Sequence, residues 1–219
     1  MRTIRVTGKG QLKVHPDMTR ITITLEGTGQ EYDATLKKSS GDTEKLKDLL
    51  VLFGFEASDL KTLSFDVETV YESYKVRDTY KRKFCGYRFT HIIKVEFESD
   101  NKRLGRILFA LAMSSLKPEF RLSYTVKDPE AVKNELLGKA VKDAVSKAEV
   151  LSSAAGLKLG EIQNMDYSWG RVDFEIQPMD KCLALCQESP ITGGASYDLD
   201  IEPDDIDVQD TVTVVWEIA

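Results

Sequence analysis

Ile4, Val6, Leu12 and Val14 alternate with polar residues, the period of two that marks a strand with one buried face. Gly8 and Gly10 fall inside this run, where glycine predicts a bulge or bend. His15-Pro16-Asp17 predicts a turn. Ile21, Ile23 and Leu25 then alternate with Thr22, Thr24 and Glu26, giving a second strand expected to pair with the first. From Asp33 the period lengthens. Leu36, Ser39, Thr43, Leu46, Leu50 and Phe53 share one helical stripe, and Gly54 is placed to follow the helix end. Gly41, in the middle, costs roughly 1 kcal/mol relative to alanine. Alternation returns at Leu63, Phe65, Val67 and Thr69, and again at Phe89, His91, Ile93, Val95 and Phe97. These two runs predict a long hairpin whose arms are joined by the polar stretch between Tyr74 and Cys85.

A second helix should start at Ser99 or Asp100 and bury Leu104, Ile107, Leu108 and Leu111. "EFRLSYTV" reads as a strand. Asp128-Pro129-Glu130 supplies a cap, a proline at the first helical position and an acid in the first turn. That third helix should reach Gly156, with Ala140, Ala144 and Ala148 forming a small-residue stripe that allows close packing. Strands are expected from Ile162 to Trp169 and over "DTVTVVWEI". In the closing strand, Val212, Val214 and Trp216, together with Val215 and Ile218, predict burial on both faces. It should lie centrally in its own sheet or be covered by another subunit. The order is ββαββ-αβαββ. Hairpin-linked strands favour an α+β fold with mainly antiparallel sheets and three main helices over a doubly wound one.

A chain of 219 residues, 42% hydrophobic, can bury one sizeable core. We expect a single domain over residues 1–219, built as two closely packed lobes of roughly 1–98 and 99–219, with an irregular insertion at about 173–203. The net charge of −6 disfavours broad affinity for nucleic acid or anionic membranes, while leaving room for a local basic patch. No apolar run reaches the ~20 residues of a membrane span. The start, "MRTIRVTG", lacks the apolar core of about 7–15 residues found in a secretory signal. Three cysteines, an odd number, suit reduced thiols. Together these features predict a cytoplasmic protein.

"VTGKGQLKVHPDMTRITITLEG", "DLKTLSFDVETVYE" and "GYRFTHIIKV" resemble the opening of the SIMPL-domain family. "DPEAVKNELLGKAVKDAVSKAEVLSSAAGLKLGEI" resembles its alanine-rich helix, and "IEPDDIDVQDTVTVVWEI" its closing segment. The least similar part is residues 173–197. The family takes its name from a mammalian signalling protein that associates with a Pelle-like kinase. Its bacterial members are mostly exported, include a periplasmic immunogenic protein, and are loosely linked to oxidative-stress defence. Some form large ring-like homo-oligomers. The resemblance therefore implies a homo-oligomer, and it brings no catalytic residue set to carry over.

The residues themselves agree with a protein that binds and does not catalyse. Gly8-Lys9-Gly10-Gln11 lacks the Gly-Lys-Ser/Thr ending and following helix of a phosphate loop. His15 falls in a turn exposed to solvent, and His91 shares the inward parity of Phe89 and Ile93, as a hydrogen-bonded core histidine would. Cys182 and Cys186 are four apart, too few for a structural zinc without a second pair. The seven acids from Asp198 to Asp210 fail the EF-hand pattern, with Pro203 and Gln209 at its sixth and twelfth positions. No catalytic residue, cofactor or metal is expected. "YESYKVRDTYKRKF" interleaves tyrosines with cations, and Lys75, Arg77, Tyr80, Lys81, Arg82 and Lys83 form the candidate interaction surface. A protein partner suits it better than nucleic acid in so acidic a chain. The rival reading is an enzyme or metal-binding protein built around residues 173–203.

Overall fold

A computed structural model describes residues 2–76, 79–167, 172–176 and 201–219, with the side chains of Val76 and Thr79 also outside the description. Among these residues the order is β1 (Thr3–Val14), β2 (Met18–Gly29), α1 (Tyr32–Val51), β3 (Lys61–Val76), β4 (Thr79–Glu98), α2 (Asn101–Met113), β5 (Glu119–Thr125), α3 (Pro129–Ala154), β6 (Leu159–Asp166) and β7 (Ile206–Ile218). This is the expected α+β succession. The paired registers of both sheets are antiparallel. The first helix runs unbroken through Gly41 and is followed by Gly54 at φ +81°. The Asp100 carboxylate accepts from the amides of Lys102 and Arg103 to start α2. Asp128 accepts from the Ala131 amide to start α3, with Pro129 in its first turn.

One compact unit contains Met18–Tyr124, with strand order β3-β4-β2-β5. Ile21, Ile23 and Leu25 of β2 and Phe89, Ile93, Val95 and Phe97 of β4 bury one face of this sheet. They pack with Leu46 and Leu50 of α1 and with Leu104, Ile107, Leu108 and Leu111 of α2. Each such side chain contributes about 1.5–3 kcal/mol by leaving water, which is why the inward parity is so regular.

The other unit contains β1, α3, β6 and β7, with strand order β1-β7-β6. This division of contacts differs from a cut at residues 98 and 99, because pairing carries the first strand to the last. Two expectations about β1 need correction. It pairs with β7 and not with β2, in a register running from Thr3↔Glu217 to Val14↔Ile206. Alternation marks which residues face inward but does not specify the partner strand, and β7 supplies the matching apolar face. Nor is there a bulge at Gly8 or Gly10, since that register has no shift.

The glycines serve α3 instead. A Cβ on Gly8 would lie 2.7 Å from the Ala144 Cβ and overlap the Ala140 carbonyl oxygen. One on Gly10 would overlap the Leu136 carbonyl oxygen. Ala140, Ala144 and Ala148 are fully buried, so the small-residue stripe and the two glycines are the two halves of one helix–sheet contact. The closing strand lies centrally between β1 and β6, the first of the two arrangements that its apolar pattern allowed. β6 begins three residues earlier than expected and its pairing with β7 is irregular. Of the expected insertion, residues 177–200 lie outside the described part, Cys182 and Cys186 among them. Phe174, ahead of them, is buried with Val126, Leu136, Ile206 and Val208.

Candidate functional site: a two-stranded ribbon

The hairpin expected from alternation is longer than the sheet that holds it. β2 follows β4 only as far as Gly29↔Tyr87. Beyond that point β3 and β4 continue to pair with each other, from Val70↔Gly86 to Val76↔Thr79. The join is a bulge between Val70 and Tyr71, where Cys85 is the extra residue. Gly86 sits there at φ +123°, and a Cβ on it would overlap the Gly29 carbonyl oxygen. A side chain would be strained on both counts, so glycine lets the ribbon leave the sheet at this place.

Alternation along the two strands sorts the ribbon's side chains onto two faces. The register puts Tyr71, Ser73 and Lys75 with Phe84, Arg82 and Tyr80 on one face. Glu72 and Tyr74 share the other with Lys83 and Lys81. The candidate surface residues therefore divide: Lys75, Tyr80 and Arg82 on one side, Lys81 and Lys83 on the other. Arg77 lies outside the described residues. Among those described, Lys75, Lys81, Arg82 and Lys83 are exposed and take part in no ion pair, and Tyr80 is 73% exposed.

An aromatic chain stiffens the first face. Tyr71 meets Phe84 edge-on at 5.7 Å, Phe84 meets Tyr87 at 5.3 Å, and Tyr87 meets Tyr32 of α1 at 5.4 Å. The Arg82 guanidinium lies 5.0 Å over the Tyr71 ring. Such edge contacts contribute about 0.5–1.5 kcal/mol each beyond burial. The anchoring pair Tyr32–Tyr87 has no sequence signal, since neither residue belongs to a periodic pattern that would bring them together. On the opposite face the Cys85 thiol donates to the Lys83 carbonyl at 3.5 Å and lies 3.9 Å from the Glu72 carboxylate.

His91 behaves as its parity predicted. It is 8% exposed, with Nδ1 3.1 Å from the Thr43 hydroxyl and Nε2 2.9 Å from the Thr62 hydroxyl. The Thr43 hydroxyl also donates to the Ser39 carbonyl at 2.8 Å. Its single proton is thereby committed, which assigns the ring proton to Nδ1 and makes Nε2 the acceptor of the Thr62 hydroxyl. Burial, and then the charge of Lys47, push the imidazole below its ordinary pKa. Both nitrogens are occupied by threonines, so this is a structural arrangement. His15, by contrast, is exposed and 3.4 Å from the Asp205 carboxylate.

A half-buried ion cluster crosses β2 and β4. Glu96 accepts from Arg20 Nε at 2.6 Å and from Lys94 Nζ at 3.1 Å. Burial alone would raise its carboxyl pKa, but the two hydrogen bonds and cationic charges outweigh it and the net shift is downward.

Comparison with known proteins corrects one expectation. The chain is similar to the 26 kDa periplasmic immunogenic protein of Brucella abortus (strain S19), 26% identical over 73% of this chain and 64% of that protein. The protein of the same name from Brucella melitensis biotype 1 is 25% identical over the same shares. The match thus spans less than two thirds of the length of these relatives. It is also similar to the uncharacterized protein YggE of Edwardsiella ictaluri (strain 93-146), 24% identical over 97% of this chain and 85% of that one. The Brucella relatives are named as periplasmic, which points to export and overturns the expectation of a cytoplasmic chain. The family described as SIMPL, protein of unknown function (DUF541), matches residues 4–216, and the chain belongs to that family.

Proposed function

We propose that this chain is an exported, non-catalytic binding module whose contact element is the free end of the β3–β4 ribbon. The observation that carries this reading is the display itself. Exposed cations without ion pairs among the described residues stand beside exposed Tyr71, Tyr74, Tyr80 and Phe84, on strands with no described neighbour beyond each other. Chains seldom leave this much aromatic and cationic surface on a projecting element unless something else covers it. The buried, doubly hydrogen-bonded His91 supports the non-catalytic half of the reading, and the periplasmic names of the Brucella relatives support export.

The test is a photo-crosslinking residue at position 80 in producing cells, with a control at exposed Ser146 of α3. Adducts at position 80 and none at 146 are expected. Equal labelling at both positions would remove the ribbon from its assigned role.

Self-association is the second reading, favoured by β6. Among the described residues β6 is an edge strand, and it exposes Ile162 and Met165, 49% and 47% accessible, beside an irregular pairing with β7. An apolar edge is a template for another strand.

A further inference from the structure

We propose that the ribbon binds an anionic lipid surface, entering the headgroup layer by its free end. The proposal rests on the reading of the ribbon as the contact element and adds the class of its partner. The charge balance comes first. Along the two strands beyond β2, the described charged residues are Lys75, Lys81, Arg82 and Lys83 against Glu72 alone. The ribbon is basic although the chain carries −6 overall. Screening over about 8 Å at physiological ionic strength lets the free end respond to its own neighbourhood and not to that total. Seven paired positions, Val70↔Gly86 to Val76↔Thr79 with the bulge left out, extend it by roughly 20 Å past the last residue paired with β2.

The distribution over two faces then separates lipid from the other polyanions. A groove on an acidic protein would cover one face of a ribbon and favour cations and aromatics gathered on that face. Here Lys81, Lys83 and Tyr74 occupy one face while Lys75, Arg82, Tyr71, Tyr80 and Phe84 occupy the other. Both faces are basic and aromatic, which suits a partner that surrounds the element on all sides. Single-stranded nucleic acid needs open ring faces for its bases. Tyr71 and Phe84 are instead packed edge-on within the aromatic chain, and Arg82 already lies over the Tyr71 ring. The exposed aromatics are mostly tyrosines, whose apolar ring and polar hydroxyl match the boundary between headgroups and acyl chains. Lysine and arginine stems extend the same pattern, keeping their charge among the phosphates.

The experiment is co-sedimentation of the whole chain with vesicles of pure phosphatidylcholine and with vesicles of equal parts phosphatidylcholine and phosphatidylglycerol. Poly-glutamate and a thymidine homopolymer serve as the other polyanions. Binding to the anionic vesicles only is expected, falling as salt rises. Replacing Lys81, Arg82 and Lys83 by serine should weaken it roughly a hundredfold, and Glu72→Lys should strengthen it about fivefold or more. A Tyr80→Trp variant should show blue-shifted emission on those vesicles and none on neutral ones. Binding to poly-glutamate or the homopolymer without vesicle binding would overturn the lipid assignment and leave the ribbon as a contact element. Vesicle binding unchanged in both charge variants would overturn the assignment of lipid binding to the ribbon. Binding in no arm, with no adducts at position 80, would overturn both readings.

Discussion

Gly8 of β1 and Ala140 of α3 touch through their backbones: a Cβ on the glycine would overlap the alanine carbonyl oxygen. That relationship fixes how deeply α3 seats on its sheet. Ala144, Gly10 and Leu136 repeat it one helical turn either way. Gly8→Ala should therefore cost about 1–3 kcal/mol or more, the range for overpacking, because the obstacle is backbone that cannot rotate aside. The glycine's own conformation is ordinary, so strain in φ is not the cause. Urea unfolding of the variant measures the loss.

Gly41 in α1 is the matched contrast. Nothing lies within 4 Å of a Cβ placed there, and the helix passes through it unbroken. Gly41→Ala should stabilise by about 0.5–1 kcal/mol through helix propensity and reduced freedom of the unfolded chain. A destabilised variant in the same urea assay would show that α1 needs an open position there.

These two glycines illustrate how much of the molecule the sequence reveals. Helix stripes, caps and strand parity are local and were legible: Asp128-Pro129 starts α3, and the inward parity of His91 follows from Phe89 and Ile93. Partner choice is not local. Nothing near Ile4 or Val6 says that β7, two hundred residues away, will pair with them. A glycine in a strand has the same letter whether it relieves a bulge, as Gly86 does, or admits a helix, as Gly8 does. The cations of the candidate site were visible as a run. Their division over two faces needed the register, and the anchoring of Phe84 through Tyr87 to Tyr32 needed the fold.

Replacing Lys81, Arg82 and Lys83 by serine should leave stability within about 1 kcal/mol, since exposed side chains without ion pairs contribute little and the contact of Arg82 over Tyr71 is a small one. A melting curve close to the parent's is expected. A loss of several kcal/mol would mean that the ribbon's cations hold the fold and are not available to a partner.

Self-association predicts a mass above 24.6 kDa by light scattering at low micromolar concentration. Ile162→Lys with Met165→Lys should lower that mass by placing charge on the β6 edge, the device by which natural edge strands avoid pairing. A constant 24.6 kDa for the unaltered chain would remove the oligomer reading.

Acidification should weaken the Met18–Tyr124 unit in two separate windows. His91 lies below its ordinary pKa of 6.5, held there by burial and by Lys47. The unfolded chain thus takes up its proton first, and stability falls as pH drops from about 6.5 toward the lower folded value. One such group gives a slope of at most about 1.4 kcal/mol per pH unit. His91→Gln offers both a donor and an acceptor to Thr43 and Thr62 without titrating, so this first window should flatten while neutral-pH stability changes little. Glu96 acts lower. Despite burial, its bonds to Arg20 and Lys94 hold it below the ordinary value of 4.5, so its contribution is present above that pH and is lost as pH falls through the folded value. Glu96→Gln should remove the second window and cost about 1–2 kcal/mol at neutral pH, a charge-assisted bond discounted for its partial exposure. Unfolding free energies of the two variants from pH 7.5 to 3, roughly one measurement per half unit, resolve the windows; a His91→Gln profile that falls below pH 6.5 as steeply as the parent's would assign the first window to some other group.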